Sequence, residues 1–313
     1  MQQRTLGHSG LVVSAIGMGC NNFSRPGTAT EWQDGSTAVI HAAIDAGITF
    51  FDGADIYGGK PGQSEELMGV ALKGRRDEVV LATKFGHQDF AMPGYEGRGH
   101  KGAEKYVRHA VENSLRRLQT DRIDLLQMHT PDPKTPIGET LRVLNDLVSE
   151  GKVRHIGSSN FSADQLYEAD FVARENGFVR FTSAQSEYSL VERGVEAGVL
   201  PACRDLGLGF LPYFPLKSGL LTGKYTREGG TGRLTTRPKI LAGANWEQLD
   251  AYRALCDEHG LTMLQASIGW LLAQDPVSSV ISGATTPEQV AQNAGAGEIA
   301  LPDALLDQIG ELF

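Results

Sequence analysis

Short apolar runs alternate along the chain with longer segments in which apolar residues recur every three or four positions. The runs have the length of buried β-strands, and the longer segments have the spacing of amphipathic helices. The predicted strands are residues 15–19, 48–52, 79–84, 123–129, 154–159, 181–186, 209–214 and 279–283. The predicted helices are residues 64–74, 104–119, 139–152, 163–177, 194–207, 245–258 and 262–274. Ahead of them, "RTL" and "LVVS" flank the turn sequence "GHSG", which predicts an N-terminal β-hairpin.

The regular alternation of strands and helices determines the predicted fold class. Strands joined by helices pair in parallel through right-handed crossovers. The sequence therefore predicts an α/β protein, a (β/α)8 TIM barrel with an N-terminal β-hairpin and extra helices near the C-terminus, forming one domain over residues 1–313. A doubly wound sheet is the alternative, but no G-x-G-x-x-G follows the first strand. Residues 226–243 form the longest irregular stretch, and a loop of that length is usually functional or disordered.

Composition limits the kinds of binding partner and the cellular compartment that the sequence predicts. The formal net charge is −9 and no cluster of Lys and Arg stands out, which argues against a nucleic-acid partner. No apolar run is long enough to span a membrane, and the N-terminus lacks the apolar region of a signal peptide. The three cysteines are too few for a disulfide framework and suit a reducing compartment. The predicted location is the cytoplasm, and the oligomeric state stays open.

Four chemically active side chains lie at or just beyond the ends of consecutive predicted strands. Asp52 ends the second strand, Tyr57 follows in its loop, Lys84 ends the third and His129 ends the fourth. Active sites of such barrels lie at this end of the strands. A lysine ammonium favours phenolate and lowers the pKa of a nearby tyrosine, which makes the phenol a usable general acid for carbonyl reduction. Each residue alone could equally be structural, as a cap or a solvated charge.

Three motifs resemble those of the aldo-keto reductase family, and the resemblance extends along nearly the whole chain. They are "FFDGADIYG" at 50–58, "LATKFG" at 81–86 and "IDLLQMHTPD" at 123–132. The resemblance implies reversible reduction of an aldehyde or ketone with NADP(H), with NAD(H) possible. In the catalytic set that it implies, Tyr57 is the proton donor, and Lys84 and Asp52 form the pair that adjusts the pKa of Tyr57. His129 is the orienting group or proton relay.

Further segments resemble the cofactor site of that family. The resemblance implies contacts to the nicotinamide end by Asp52, Ser159, Asn160, Gln185, Tyr213 and Phe214. It implies contacts along the pyrophosphate by Pro215, Leu216, Lys217, Ser218, Gly219 and Lys224, and contacts to the cofactor through the backbone by Gly19, Cys20 and Asn21. It implies contacts to the adenosine end by Gly283, Thr285, Gln289, Gln292 and Asn293. The sequence "SSN" at 158–160 could also cap the helix that follows.

Two departures from the family pattern affect cofactor choice and substrate. No Arg or Lys occurs between residues 281 and 293, where some members bind the 2′-phosphate, so Arg233 in the long loop is predicted to bind it. The chain ends at Phe313 with "PDALLDQIGELF", so the long C-terminal loop that defines substrates in other members is not expected here. The substrate walls are therefore predicted from residues 20–33 and 85–101, with a substrate set of Phe23, Trp32, Tyr57, Phe85 and His129.

Two other functions remain open at the level of sequence. The first is an enzyme that oxidises a sugar or another alcohol with NAD(P)+, since the same residues serve both directions. The second is a redox-sensing binding subunit like the β-subunits of voltage-gated potassium channels, which share the barrel and the cofactor site. No docking extension is evident, which argues against the second. A metal centre is not predicted, because the histidines include no H-x-H or H-E-x-x-H arrangement.

Overall fold

Eight parallel strands form a nearly closed barrel in a computed structural model that describes residues 1–313. An antiparallel hairpin precedes the barrel, formed by β1 (Gln3–Thr5) and β2 (Val12–Ser14). The barrel strands are β3 (Ile16–Gly19), β4 (Phe50–Asp52), β5 (Val80–Phe85), β6 (Ile123–Met128), β7 (Val153–Ser159), β8 (Ser183–Glu187), β9 (Gly209–Tyr213) and β12 (Val280–Gly283). A parallel bridge between Phe210 and Val277 brings β9 alongside the chain leading to β12. The predicted (β/α)8 TIM barrel and its hairpin are confirmed.

Helices surround the barrel. They are α1 (Gln33–Asp45), α2 (Gln63–Ala71), α3 (Glu104–Leu118), α4 (Ile137–Ser149), α5 (Ala163–Asn176), α6 (Val199–Leu206), α7 (Pro238–Ala242), α8 (Trp246–Glu258), α9 (Met263–Ala273), α10 (Pro287–Ala296) and α11 (Asp303–Leu312). The pattern at 194–207 divides at Gly198 into a 3₁₀ turn and α6. None of the helices is both long and apolar enough to cross a membrane.

The sequence pattern did not predict α1 and α11. Helix α1 has Gly35, Ser36 and Thr37 in its first two turns, which are weak helix formers, so its apolar face has to stabilise it through packing. Gly35 is needed there because a Cβ at this position would lie 1.7 Å from the carbonyl oxygen of Ala29. Helix α11 buries only Leu305 and Ile309, one turn apart. Both helices form because a tertiary surface is available to cover them.

The inside of the barrel is apolar at one end and polar at the other. Residues two apart on a strand point to the same face, so one strand can contribute to both layers. Three neighbouring strands do this with the pairs Phe50 and Asp52, Ala82 and Lys84, and Leu125 and Gln127. Leu6 and Val13 of the hairpin join the apolar layer and close that end of the barrel. The polar layer therefore lies at the carboxyl ends of the strands, below the predicted active site.

The predicted irregular stretch 226–243 contains short elements of its own. Strands β10 (Tyr225–Thr226) and β11 (Gly229–Gly230) form a small hairpin. A 3₁₀ turn from Arg233 to Thr236 and helix α7 follow. Gly223 before this hairpin, Gly229 at its turn and Gly232 after it adopt positive φ angles and allow the compact path, which the helical and strand patterns of the sequence could not show.

Candidate active site

A buried ion pair lies at the centre of the polar layer. Lys84 Nζ lies 2.6 Å from Asp52 Oδ2 and donates a second hydrogen bond of 2.9 Å to the carbonyl oxygen of Gly53. Lys84 is 1% exposed and Asp52 is 3% exposed. Burial is the largest single influence and lowers the pKa of Lys84, but Asp52 and Tyr57 together outweigh it, so that the pKa is raised overall. The ammonium ion therefore stays protonated in a place where an isolated charge would be unfavourable.

Two glutamine side chains complete the surroundings of Asp52. Its Oδ1 accepts hydrogen bonds from Gln127 Nε2 at 3.1 Å and from Gln185 Nε2 at 3.0 Å. These residues lie on β6 and β8, which are not neighbours of β4 in the sheet, so the three side chains meet inside the barrel. Gln127 was not predicted, because within "IDLLQMH" it occupies the interior of a strand rather than its end.

Tyr57 lies in the loop after β4, half-buried beside this ion pair. Lys84 Nζ lies 5.2 Å from the centroid of its ring. Burial raises the pKa of Tyr57, and the positive charge of Lys84 opposes this rise without cancelling it. The expectation that Lys84 lowers the pKa of Tyr57 below its ordinary value is corrected here. Sequence reasoning included the charge of the lysine but not the cost of burying a phenolate.

His129 follows β6 and is 7% exposed. Its backbone N–H donates to the carbonyl oxygen of Phe85 at 2.8 Å, and its Nδ1 has no hydrogen-bond partner. Burial and the positive charge of Lys84 hold the pKa of His129 well below its ordinary value. The imidazole is therefore neutral at neutral pH, with one ring nitrogen able to donate and the other to accept. Its ring centroid lies 6.0 Å from that of Tyr57, so the four predicted catalytic side chains are together.

Four of the six residues assigned to the nicotinamide end, Ser159, Asn160, Gln185 and Tyr213, also lie together. Ser159 and Gln185 are paired in register on β7 and β8. Asn160 Nδ2 donates to the carbonyl oxygen of His129 at 2.9 Å, and Tyr213 donates through its hydroxyl to Asn160 Oδ1 at 2.8 Å. The helix that follows is capped by Ser162, whose side chain accepts from the N–H of Gln165. Ser159 and Asn160 are therefore not needed as caps.

The segment after β9 has a strained backbone. Phe214, Lys217 and Ser218 have positive φ angles of 50°, 43° and 59°, and Gly219 follows at 100°. Positive φ at residues other than glycine costs of order 1–3 kcal/mol each and occurs mainly at ligand clamps and active sites. The side chain of Lys217 is held by Glu187 at 2.7 Å and Glu192 at 3.1 Å. The charge of Lys217 is therefore already paired with carboxylates, and Pro215 and Leu216 belong to the same turn.

The segment predicted to contact the cofactor through its backbone adjoins the segment assigned to adenosine, at β3 and β12. Gly19 pairs in register with Gly283 at the carboxyl ends of these strands. Cys20 and Asn21 follow in a 3₁₀ turn, and Cys20 is buried. Past Gly283, the N–H of Thr285 donates to Gln289 Oε1 at 2.8 Å. In α10 the side chain of Gln292 is exposed, whereas Asn293 is 5% exposed.

A group of arginines carries the main charge at the mouth of the site. The Cζ of Arg233 lies 5.3 Å from the ring centroid of Phe214. Burial, together with repulsion by Arg25 and Arg237, lowers the pKa of Arg233 to about 10. Arg233 is still charged at neutral pH and forms no ion pair with a carboxylate. Burial also lowers the pKa of the nearby Lys224. Arg25 was not singled out from the sequence, because a lone arginine in a loop carries no signal there.

The predicted aromatic walls are only partly supported. Phe23 is 0% exposed and Phe85 is 1% exposed, so both pack in the core and offer no surface to a substrate. Their predicted role in the substrate set is corrected accordingly. Trp32 is 71% exposed and immediately precedes α1. His87 was predicted only as part of the wall at 85–101, yet its ring centroid lies 4.6 Å from that of His129.

Comparison with known proteins gives a single family. The model of the aldo/keto reductase family matches residues 15–312. The chain is 37% identical to an uncharacterized oxidoreductase, YrpG, of Bacillus subtilis, over 100% of this chain and 96% of that one. It is 35% identical to an L-glyceraldehyde 3-phosphate reductase of Escherichia coli, over 95% and 87% of the two chains. It is 33% identical to a probable voltage-gated potassium channel subunit beta of rice, over 96% and 92%.

Proposed function

Because the chain belongs to the aldo/keto reductase family, we propose that it reduces an aldehyde or ketone to an alcohol with NADPH and Tyr57 as general acid. The observation that carries the proposal is the buried pair of Lys84 and Asp52 beside Tyr57. A buried charge pair with a phenol at the mouth of a barrel is suited to proton transfer.

The proposed mechanism divides the work among the four side chains. The reduced nicotinamide supplies a hydride to the carbonyl carbon when it is bound. Tyr57 donates a hydrogen bond and then its proton to the carbonyl oxygen, and the neutral imidazole of His129 orients that oxygen. The ammonium of Lys84 stabilises the phenolate that Tyr57 becomes. Asp52 holds the ammonium in place, so that the positive charge does not move away during proton transfer.

The residues present also fit a nicotinamide cofactor. A carboxamide needs both donors and acceptors, which Ser159, Asn160 and Gln185 supply from adjacent strand ends. The aromatic ring of Tyr213 lies beside Asn160 and is proposed to stack on the nicotinamide. The strained turn after β9 would be compensated by binding the pyrophosphate.

We propose that Arg233 binds the 2′-phosphate of NADPH, helped by donors around Thr285. Arg233→Ala is then expected to weaken NADPH binding by about 1.5–3 kcal/mol, the scale of a hydrogen bond to a charged group, and to leave NADH nearly unchanged. Wild-type preference for NADPH should decrease as salt is raised. Fluorescence titration of both cofactors measures these effects.

The matched control for this prediction is Arg227→Ala, on the same loop. Arg227 Nη2 lies 3.2 Å from Asp250 Oδ2, so its charge is already paired. Arg227→Ala should therefore change the binding of neither NADPH nor NADH. Equal weakening of NADPH and NADH by Arg233→Ala would show that Arg233 stabilises the loop instead of binding the phosphate.

The reaction class is tested by a substrate screen. Steady turnover of aldehydes, ketones and sugars would be followed through the absorbance of the nicotinamide, in both directions and with each cofactor. Rapid reduction of at least one carbonyl compound is expected. Faster turnover of a sugar or alcohol with NAD(P)+ would instead favour the dehydrogenase alternative.

A binding subunit is the second candidate, and the similarity to probable potassium channel subunits beta of rice and Arabidopsis favours it. These relatives are 33% and 32% identical to the chain. A sensor would hold NADPH tightly and turn over negligibly. The two functions are separated by measuring the rate at which NADPH dissociates and the rate of a single round of carbonyl reduction. Slow dissociation with negligible reduction indicates the binding subunit, and rapid reduction indicates the enzyme.

A further inference from the structure

Gln127 is a buried polar residue that contacts the ion pair of the candidate active site. It is 0% exposed and lies on β6, paired in register with Lys84 on one side and Gly157 on the other. The inward residue two positions earlier on β6, Leu125, belongs to the apolar layer. A buried amide is costly unless its hydrogen-bonding groups are satisfied, so its contacts decide what it does.

The hydrogen bonds of Gln127 define its orientation. Its Nε2 donates to Asp52 Oδ1 at 3.1 Å, and its Oε1 accepts from Gln185 Nε2 at 3.2 Å. A carboxylate can only accept, so the nitrogen of the amide has to face Asp52. Turning the amide over would place two oxygens against each other and lose both bonds. Gln127 therefore holds Asp52 in one orientation, with Oδ2 directed at Lys84.

The neighbouring strand leaves room for this side chain. A Cβ at Gly157 would lie 3.3 Å from Cγ of Gln127 and 2.2 Å from Oγ of Ser183. Glycine at this position keeps β7 free of a side chain at the level of the polar layer. The space allows Gln127 to cross the interior of the barrel towards Asp52, which lies two strands away.

Gln185 has a second task in the proposed function, and Gln127 does not. In the structure Gln185 Nε2 bonds to both Asp52 and Gln127, whereas the proposed cofactor site needs Gln185 for the nicotinamide amide. When Gln185 turns to the cofactor, Gln127 is the remaining amide on Asp52 Oδ1. We infer that Gln127 is a positioning residue, which acts on Tyr57 through Asp52 and Lys84 and keeps them in place during the reaction. This inference rests on the proposed function.

The first test replaces the amide with an apolar side chain of similar length. Gln127→Met is expected to lower kcat by about ten- to a hundredfold, the effect of losing one hydrogen bond to a charged group. The dissociation constant of NADPH should stay near the wild-type value, which also shows that the variant is folded. Ser183→Ala is the matched control, since Ser183 is buried in the same barrel and its hydroxyl has no partner. It should leave kcat unchanged.

The second test uses Gln127→Glu and a pH profile. At neutral pH its carboxylate would face that of Asp52 and repel it, but a protonated carboxyl regains an O–H donor for Asp52. The rate of this variant relative to wild type should therefore rise as the pH falls, whereas the ratio for Gln127→Met should stay flat. A merely structural role predicts no such recovery.

The outcomes separate this inference from the function on which it rests. A wild-type protein that reduces no carbonyl compound would overturn both. A wild-type protein that turns over, with a kcat of Gln127→Met within about twofold of it, would overturn the inference alone, because that is less than the effect of one hydrogen bond to a charge. Equal, pH-independent losses in Gln127→Met and Gln127→Glu would also overturn it.

Discussion

Tyr57→Phe is expected to lower kcat for carbonyl reduction by at least about 10²–10⁴-fold, the usual contribution of a positioned general acid. The substitution keeps the ring and removes the one proton that the mechanism transfers. Binding of NADPH should be nearly unchanged, because Tyr57 is assigned to the reacting oxygen and not to the cofactor. Steady-state kinetics with the best substrate from the screen, together with fluorescence titration of NADPH, measure the two effects.

The control for this prediction is Tyr106→Phe. Tyr106 is 3% exposed, and its hydroxyl is buried without a hydrogen-bond partner, so its removal should leave kcat unchanged. If Tyr57→Phe retained more than about a tenth of the wild-type rate, a loss smaller than that of general acids elsewhere, another group would have to donate the proton. His129 would then be the first candidate, because its Nδ1 is free.

Lys84→Met is expected to affect both activity and stability. Removing one partner of a buried ion pair leaves the other charge uncompensated and typically costs about 3–5 kcal/mol of unfolding free energy. Activity should also fall, because the charge that opposes the rise in the pKa of Tyr57 is lost. With burial and the negative charge of Asp52 left unopposed, that pKa rises further. In the oxidation direction, where the phenolate is the base, residual activity should therefore appear only at higher pH than in the wild type.

The double variant Asp52→Asn with Lys84→Met separates the two effects. It removes both charges, so unfolding free energy measured in urea should recover relative to Lys84→Met alone. Activity should not recover, because no ammonium remains beside Tyr57. A pH profile of Lys84→Met that matches the wild type would contradict the proposed action of Lys84 on Tyr57.

The sequence predicted the positions of the proposed catalytic groups better than the direction of their pKa shifts. Asp52, Lys84 and His129 are recognisable because each ends an apolar run, and the barrel brings such ends together. The prediction that the pKa of Tyr57 is lowered was wrong, because the direction of the shift depends on how completely the loop buries the phenol. The sequence pattern has no measure of that burial.

Residues that act from inside elements were harder to find. Gln127 is one polar residue within a strand, and only the pairing across the barrel shows that it meets Asp52. Phe23 and Phe85 lie in loops or strand ends that seemed open to substrate, yet both turn into the core. Helix α1 was missed because its stability comes from packing rather than from the helix propensity of its first turn.

The apolar layer that Leu6 and Val13 close has a consequence for the path by which protons reach the site. Water cannot reach Lys84 from the amino-terminal end of the barrel, because Phe50, Ala82 and the hairpin side chains fill it. In the proposed mechanism, the proton that restores Tyr57 after each turnover would therefore arrive through the same mouth as the substrate. Any movement of residues 226–243 at that mouth would regulate the supply of protons and of substrate together.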